Sequence, residues 1–182
     1  MKNIIIAFIL FFISTSNISA NEREIELKKL FKQLKINDTN LSFKIEKKIW
    51  KIWSTHPENK ELTFLLQTGS DFVNNNQHLK AIEVFTEVIN LDPNWAEAWN
   101  KRATVFYLVG EFQKSQNDID KVLKLEKRHF GALAGQGLVN IKLENYEKAI
   151  KSYKKAMEIY PSMNSPKKMI KYIEELIKKN TI

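Results

Sequence analysis

The feature that most constrains the fold of this chain is a repeat of 34 residues. Residues 62–163 divide without a gap into three segments of this length, 62–95, 96–129 and 130–163. Some aligned columns hold only small residues, namely Gly69/Ala103/Gly137 and Ala81/Ser115/Ala149. Other columns hold bulky apolar residues, namely Leu65/Trp99/Leu133, Phe85/Ile119/Tyr153 and Leu91/Leu125/Ile159. A fixed period of this length indicates an array in which every segment is one supersecondary unit.

Each segment contains two helical patterns with a turn between them. In the first segment, apolar residues recur three and four positions apart over 62–73 and again over 79–91, which is the spacing of one helix face. Turn-forming residues separate the two patterns in each segment: Asn74-Asn75-Asn76, Gly110-Glu111 and Glu144-Asn145. Small columns are expected where the two helices of a hairpin approach closely. A single hairpin cannot cover its apolar face, whereas three stacked hairpins form a continuous core.

This pattern resembles the tetratricopeptide repeat family. The second segment matches best, with Trp99, Ala103, Phe106, Ser115 and Ile119 in the characteristic columns. Lys127 stands where the family prefers proline, and Asn140 stands where it prefers an aromatic residue. The resemblance implies an all-α, right-handed solenoid of three helical hairpins. Residues 99–103 and 128–133 are also similar to a group of short exported repeat proteins of α-proteobacteria.

Residues 1–20 have the layout of a secretory signal peptide. Lys2 precedes an unbroken apolar run over residues 4–13, and small and polar residues follow up to Ala20, so we expect cleavage after Ala20. The apolar run is half of the ~20 residues that a membrane-spanning helix needs, and an uncleaved membrane anchor is the alternative. Lipid attachment as a bacterial lipoprotein is excluded, because the chain has no cysteine.

Helical segments are predicted on both sides of the repeats. Residues 21–61 should form an N-terminal hairpin cap with a turn at Asn37-Asp38-Thr39-Asn40, and its apolar stripes are Leu27/Leu30/Phe31/Leu34 and Leu41/Ile45/Ile49/Ile52/Trp53. Phe43 and Trp50 lie off the second stripe, so we expect that helix to pack on two sides, against the first helix and against residues 62–73. Residues 164–182 should form a C-terminal capping helix that begins at Ser165-Pro166 and covers Tyr153 and Ala156.

The sequence offers no candidate for catalysis, metal binding or cofactor binding. His56, His78 and His129 are far apart in the chain, and a thiol nucleophile is excluded because there is no cysteine. The stretch Gly135-Gln136-Gly137 lies within a helical pattern and does not follow a strand, so it is not a phosphate-binding loop. The formal net charge is +8, but no block of five like charges occurs, which favours a solvated surface over a patch for acidic partners.

The remaining functional feature is a surface. In proteins that this chain resembles, the first helix of each repeat lines a concave groove that holds an extended peptide. Carried over column by column, the predicted groove consists of Leu66, Ser70, Val73, Asn100, Thr104, Tyr107, Ala134, Leu138 and Ile141, with Lys101 beside them. Leu66 and Ser70 stand where some family members place the Lys and Asn that grip a chaperone carboxylate, so that clamp is absent.

Side-chain volume is missing at the third-repeat end of this predicted groove, at Gly131, Ala134 and Gly135. Glycine in a helix interior costs about 1 kcal/mol relative to alanine, which suggests that something approaches the backbone there. One interpretation is a pocket for an apolar partner side chain, walled by Tyr107, Leu138 and Ile141, with Asn100 bonding the backbone of the partner. The other is that Tyr107 or a neighbouring helix of the protein itself fills the space.

These observations predict a non-enzymatic periplasmic adaptor that binds a protein or peptide segment in its groove. We expect no small-molecule substrate, and nucleic acid is not the expected partner. Two alternatives stay open: a binder of anionic membrane or nucleic acid through the basic surface, or a structural subunit whose groove is filled by its own N-terminal hairpin or by a second copy. The sequence does not decide between a monomer and a weak homo-oligomer.

Overall fold

The computed structural model describes residues 21–36 and 39–180, and every element in these ranges is a helix. Residues 21–34 are helical and are called α1. The others are α2 (Thr39–Trp53), α3 (Lys60–Asn74), α4 (His78–Leu91), α5 (Ala96–Leu108), α6 (Phe112–Leu125), α7 (Phe130–Lys142), α8 (Tyr146–Ile159) and α9 (Asn164–Asn180). The predicted signal peptide and the turn residues Asn37 and Asp38 lie outside the described residues.

The helices from α3 to α8 form three hairpins that repeat in their backbone geometry. The turn inside each hairpin places one residue at positive φ, and these residues are Asn76, Gly110 and Glu144, with φ of 56°, 81° and 57°. The next N–H in each turn donates to the carbonyl five residues earlier, from Gln77 to Phe72, from Glu111 to Phe106 and from Asn145 to Asn140, at 2.8 Å each time. This is the bonding that closes a helix C-terminus. The period read from the side chains is therefore also a period of the main chain.

The small columns lie where the two helices of each hairpin touch. A Cβ atom on Gly137 would lie 2.5 Å from Cζ of Tyr153, and one on Gly69 would collide with the ring of Phe85. In the second hairpin the Ser115 hydroxyl donates to the Ala103 carbonyl at 2.7 Å. Larger side chains would force the paired helices apart, because a packed core has no room for added methylene groups.

The array curves with its first helices on the inside. Among the described helices, α3 and α7 each approach α5, whereas the second helices α4, α6 and α8 approach one another less closely. We call the surface formed by α3, α5 and α7 the inner face, and the surface formed by α4, α6 and α8 the outer face.

The N-terminal hairpin, α1 and α2, does not lie where the sequence predicted. It packs across the array against the third repeat, because its apolar stripes share one core cluster with Phe130 and Tyr160. The expected packing of α2 against residues 62–73 is therefore wrong. Phe43, predicted to be buried, is 54 % exposed, and the ammonium of Lys47 lies 4.4 Å above its ring.

The hairpin packs here because aromatic side chains are available at the turn that precedes α7 and at the start of that helix. Trp53 stacks on His129 with the ring centres 4.1 Å apart and the planes at 9°. The ring of Trp53 also lies 5.2 Å from that of Phe130. As a consequence, no helix in the described ranges covers the outward side of α3, and Phe64 is 71 % exposed, while Ala98 and Ala132 in the same column are buried.

The C-terminal helix α9 begins at Asn164, one residue before the predicted start, and it packs on Tyr153 as predicted. Ile173 is fully buried and shares a cluster with Ala149 and Tyr153 of α8. Within the described part of the chain, no helix has both the length and the apolar composition that crossing a membrane requires.

Candidate functional site

Two adjoining pockets run along the inner face. The first has a volume of about 320 Å³ and lies between α3 and α5, where it is lined by Ser70, Val73, Asn74, Asn100, Lys101, Thr104 and, from α2, Trp50. The second has a volume of about 80 Å³ and lies between α5 and α7, where its lining includes Asn100, Thr104, Tyr107, Gly131, Gly135 and Leu138. Because Asn100 and Thr104 belong to both pockets, we treat them as one inner groove.

Most of the predicted groove residues come together in this inner groove, and three do not. Leu66 is only 2 % exposed and packs in the core cluster that contains Ala98 and Val105. Ala134 and Ile141 pack in the cluster formed with α9. Each first helix touches the next helix of the array, so these positions lie in the seams between helices, and the prediction that they line the groove is wrong.

Trp50 and Asn74 line the inner groove, although the sequence did not predict them there, and Trp50 is the larger of the two. Trp50 lies off the apolar stripe of α2, and from this position the sequence predicts that it packs against residues 62–73. Its ring lies edge-on to those of His129 and Phe130, at 5.4 and 5.5 Å, and its Nε1 donates to Glu46 at 3.2 Å. These contacts hold the indole as a fixed wall at one side of the groove.

The two glycines at the start of α7, Gly131 and Gly135, have different surroundings. A Cβ atom on Gly131 would lie 2.6 Å from Cη2 of Trp50, so the space beside this residue is taken by the protein itself. The nearest atom to a Cβ atom on Gly135 would be Cδ1 of Ile119 at 3.7 Å, an ordinary contact. The apolar space at this end of the groove is therefore smaller than predicted. It lies beside Gly135, and Tyr107 and Leu138 line it, whereas Ile141 does not.

A buried hydrogen-bond network centred on Glu97 supports the groove from below. Glu97 is 1 % exposed, and its Oε2 lies 3.0 Å from Nε2 of the fully buried His129. The Ala132 N–H donates to Nδ1 of His129 at 3.0 Å, so the ring hydrogen is on Nε2 and is donated to Glu97. Asn100 donates to the same carboxylate oxygen at 3.2 Å, and the Lys101 ammonium lies 3.7 Å from the other one. His129 is thus a structural residue that fixes the start of α7.

Charged and polar contacts hold the hairpin at the edge of the groove. Arg128 bonds Glu24 of α1 at 2.9 Å and Glu126 at 2.7 Å. Burial alone would raise the pKa of Glu126, but hydrogen bonds from the side chain and backbone of Arg128 outweigh it and lower that pKa. The Tyr160 hydroxyl donates to Glu46 of α2 at 3.1 Å, and burial, followed by the charge of Glu46, raises the pKa of Tyr160 to about 12. The N-terminal hairpin is therefore tied at two points, to the turn that precedes α7 and to the end of the third repeat.

The chemistry of the groove suits binding. Its polar side chains are amides, hydroxyls and one ammonium, which match the main-chain groups of an extended peptide. The hydroxyls of Ser70 and Thr104 donate to the carbonyls four residues earlier, both at 3.0 Å. No group of three or more His, Asp or Glu residues in the described ranges is arranged to hold a metal ion.

Comparisons with known proteins agree with this architecture. The sequence model described as tetratricopeptide repeat matches residues 130–163, which is the third segment. A tetratricopeptide repeat-containing protein of Rhizobium etli is 29% identical over 165 residues, which are 90% of this chain and 80% of that protein. Hsp70-Hsp90 organizing protein 2 of Arabidopsis thaliana is 24% identical over 96 residues, and the chain spans only 17% of that relative.

Solved structures show the same fold. The first repeat domain of Spaghetti (RPAP3), bound to the HSP90 peptide SRMEEVD, superposes with a TM-score of 0.64 at 18% identity, covering 66% of this chain and 96% of that one. MamA superposes with a TM-score of 0.60 at 22% identity over 88% of this chain and 81% of its own. The fold is thus that of a helical-repeat solenoid. The match to the tetratricopeptide repeat model covers one of the three segments, and the Rhizobium relative agrees with the resemblance to α-proteobacterial repeat proteins.

Proposed function

We propose that this protein is a non-enzymatic adaptor that binds an extended segment of another protein in its inner groove. The observation that carries the proposal is the continuity of the two pockets through Asn100 and Thr104, from Ser70 on α3 to Leu138 on α7. A continuous channel across three helices fits an extended chain better than a compact ligand. The structural relative RPAP3 was solved with a peptide bound, which supports this use of the fold.

The residues that line the groove determine what kind of protein segment would bind there. The amides of Asn74 and Asn100 can donate to and accept from a peptide backbone, whose groups need partners when they leave water. The space between Tyr107, Gly135 and Leu138 accepts one apolar side chain. Leu66, at one position of the chaperone-tail clamp, is apolar and buried, so the groove does not form that clamp for a terminal carboxylate.

We further propose that the adaptor works in the periplasm after removal of residues 1–20. The support is the order of a positive start, an apolar run and small residues in that segment. Mass spectrometry of the exported chain tests this proposal. A mature N-terminus at Asn21 is the expected result, and a chain that keeps its first twenty residues in the membrane fraction contradicts it.

The groove is tested by placing a charge in it. Leu138→Asp should reduce partner binding by about tenfold or more, because an unpaired carboxylate in an apolar pocket must lose its water. Partners would be captured by crosslinking from the cell envelope with the mature chain and quantified by pull-down. Leu79→Asp is the matched control, because Leu79 lies on the outer face and is 75 % exposed.

Circular dichroism decides how a loss of binding is interpreted. Helicity and melting temperature of Leu138→Asp should stay near those of the parent. If the variant unfolds, Thr104→Arg takes its place, since Thr104 is exposed and lines both pockets. Undiminished binding by a folded groove variant would contradict the proposal and favour a structural subunit whose groove is closed by its own hairpin.

A further inference from the structure

A second, polar cleft of about 490 Å³ lies on the outer face, on the opposite side of α7 from the inner groove. It is bounded by α6 and α8, and α7 forms its floor. Its lining includes five side-chain amides, from these helices and from the turn that precedes α8, namely Gln113, Gln116, Gln136, Asn140 and Asn145. The predicted groove residues do not take part in it.

We call the contact between two successive repeats a junction. Large side chains fill the first junction, between repeats one and two, and smaller side chains take their columns in the second junction, where the cleft lies. Between the first and second repeats, Arg102 donates through Nε and Nη2 to Asp118 at 2.7 and 2.9 Å, and through Nη1 to Thr86 at 3.0 Å. Its guanidinium also lies 5.0 Å from the ring of Trp99 and 5.5 Å from that of Phe106. These groups close the first junction.

The same columns of the next junction hold Asp120, Gln136 and Ser152 in place of Thr86, Arg102 and Asp118. Gln136 donates to Asp120 at 3.3 Å, and Ser152 donates to Gln136 at 2.9 Å. Asn140 replaces the ring of Phe106 and donates to Gln116 at 3.1 Å. The hydrogen bonds between these columns are kept, but the side chains that form them are smaller, so the space that Arg102 and Phe106 fill in the first junction is left open in the second.

Three lysines of α8 surround this open space: Lys148, Lys151 and Lys155. They are three and four positions apart, so their ammonium groups lie on one helix face and repel one another. None of them forms an ion pair with an acid of the described residues. Asp120 is the acid that lines the cleft, and its Oδ1 already accepts from Gln116 and Gln136. The cleft therefore presents excess positive charge beside fixed amide donors.

We propose that this outer cleft binds a small ligand with two or more negative charges on carboxylate or phosphate oxygens. The lysines supply charge-assisted hydrogen bonds, and the amides of Gln113, which is exposed, and Asn145, which is half-buried, supply neutral ones. The site is separate from the inner groove, so it can be occupied whether or not a peptide is bound.

The test uses citrate and pyrophosphate as probes, titrated at constant ionic strength into the ¹⁵N-labelled mature chain. Side-chain amide signals of Gln113, Gln136, Asn140 and Asn145 should shift and saturate. Saturation by citrate alone identifies a carboxylate ligand, saturation by pyrophosphate alone a phosphate ligand, and saturation by both a general polyanion site. If neither probe moves these signals, the proposal is wrong.

Two variants separate a site from general charge attraction. The triple change Lys148→Gln, Lys151→Gln and Lys155→Gln should weaken binding about tenfold, because three exposed charge contacts are lost. The control Lys167→Gln, Lys168→Gln and Lys171→Gln removes the same charge from the exposed face of α9 and should leave binding unchanged. An equal loss in the control would overturn the proposal.

Asn140→Phe fills the cleft without changing its charge. Phenylalanine is also the residue that the first two repeats have in this column, at Phe72 and Phe106. Binding of the probes should disappear while the lysines are still present. Undiminished binding by this variant would mean that the cleft itself is not the site.

Discussion

The helices α5 and α7 occupy the same place in successive repeats, yet large side chains close the outer side of α5, whereas the outer side of α7 is open. Their backbones start and end 34 residues apart. The side chains in four shared columns become smaller from α5 to α7, in the pairs Glu97/Gly131, Lys101/Gly135, Arg102/Gln136 and Phe106/Asn140. On the inner face, Trp50 fills the space beside Gly131, and the space beside Gly135 stays open. On the outer face, the smaller side chains of Gln136 and Asn140 leave the outer cleft.

This difference shows how a repeat protein can specialise without changing its fold. The backbone is fixed by the small columns and by the positive-φ turns, which α5 and α7 keep in common. The remaining columns do not set the hairpin geometry, so they are free to carry an ion pair in one repeat and a binding surface in the next.

The largest expected effect comes from removing the guanidinium that closes the first junction. Arg102→Ala leaves the carboxylate of Asp118, whose side chain is 6 % exposed, without its bidentate partner. Breaking a buried ion pair in this way costs roughly 3–5 kcal/mol, and urea unfolding followed by circular dichroism measures it. Gln136→Ala at the same column of α7 is the control and should cost about 1 kcal/mol. Equal losses in the two variants would show that the junctions do not differ in energy as they do in structure.

A smaller effect is expected from adding one methyl group to the inner side of α7. Gly131→Ala should destabilise the protein by roughly 1–3 kcal/mol, because the new Cβ atom would meet the ring of Trp50 at 2.6 Å. That ring is held by His129 and Phe130, so it cannot move aside freely. Thermal and urea unfolding are the measurements.

The neighbouring glycine provides the matched control with the opposite sign. Gly135→Ala should stabilise the protein by up to about 1 kcal/mol, the difference in helix preference between the two residues, because its Cβ atom would make only an ordinary contact at 3.7 Å. If both variants gain stability alike, Trp50 does not pack on α7 in solution.

The sequence was sufficient for the repeated helices because their packing is periodic. Gly69, Ala103 and Gly137 show directly where helices of a hairpin touch, and Asn76, Gly110 and Glu144 fall at the turns. The position of the N-terminal hairpin was not predictable in this way. An apolar stripe shows that a helix face is buried, but it does not identify the partner.

Trp50 and Leu66 illustrate what a pattern along the chain leaves undetermined. The off-stripe position of Trp50 correctly indicated a second contact, but that contact, Gly131, lies far along the chain. Leu66 belongs to the stripe next to the core, and the curvature of the array decides whether such a residue faces the groove or a seam. Curvature depends on how successive repeats pack, and a single column does not contain that information.

The return of the hairpin to the third repeat changes how the whole array should unfold. In an open solenoid each repeat touches only its neighbours, so the ends can fray one repeat at a time. Here Arg128 bonds Glu24 across 104 positions of the chain, and Tyr160 bonds Glu46 across 114. Fraying of the last hairpin would expose the apolar core that it shares with Leu30 and Ile49. The N-terminal hairpin and the third repeat therefore form one cooperative unit, and this unit folds more slowly because its contacts must wait for distant residues to meet.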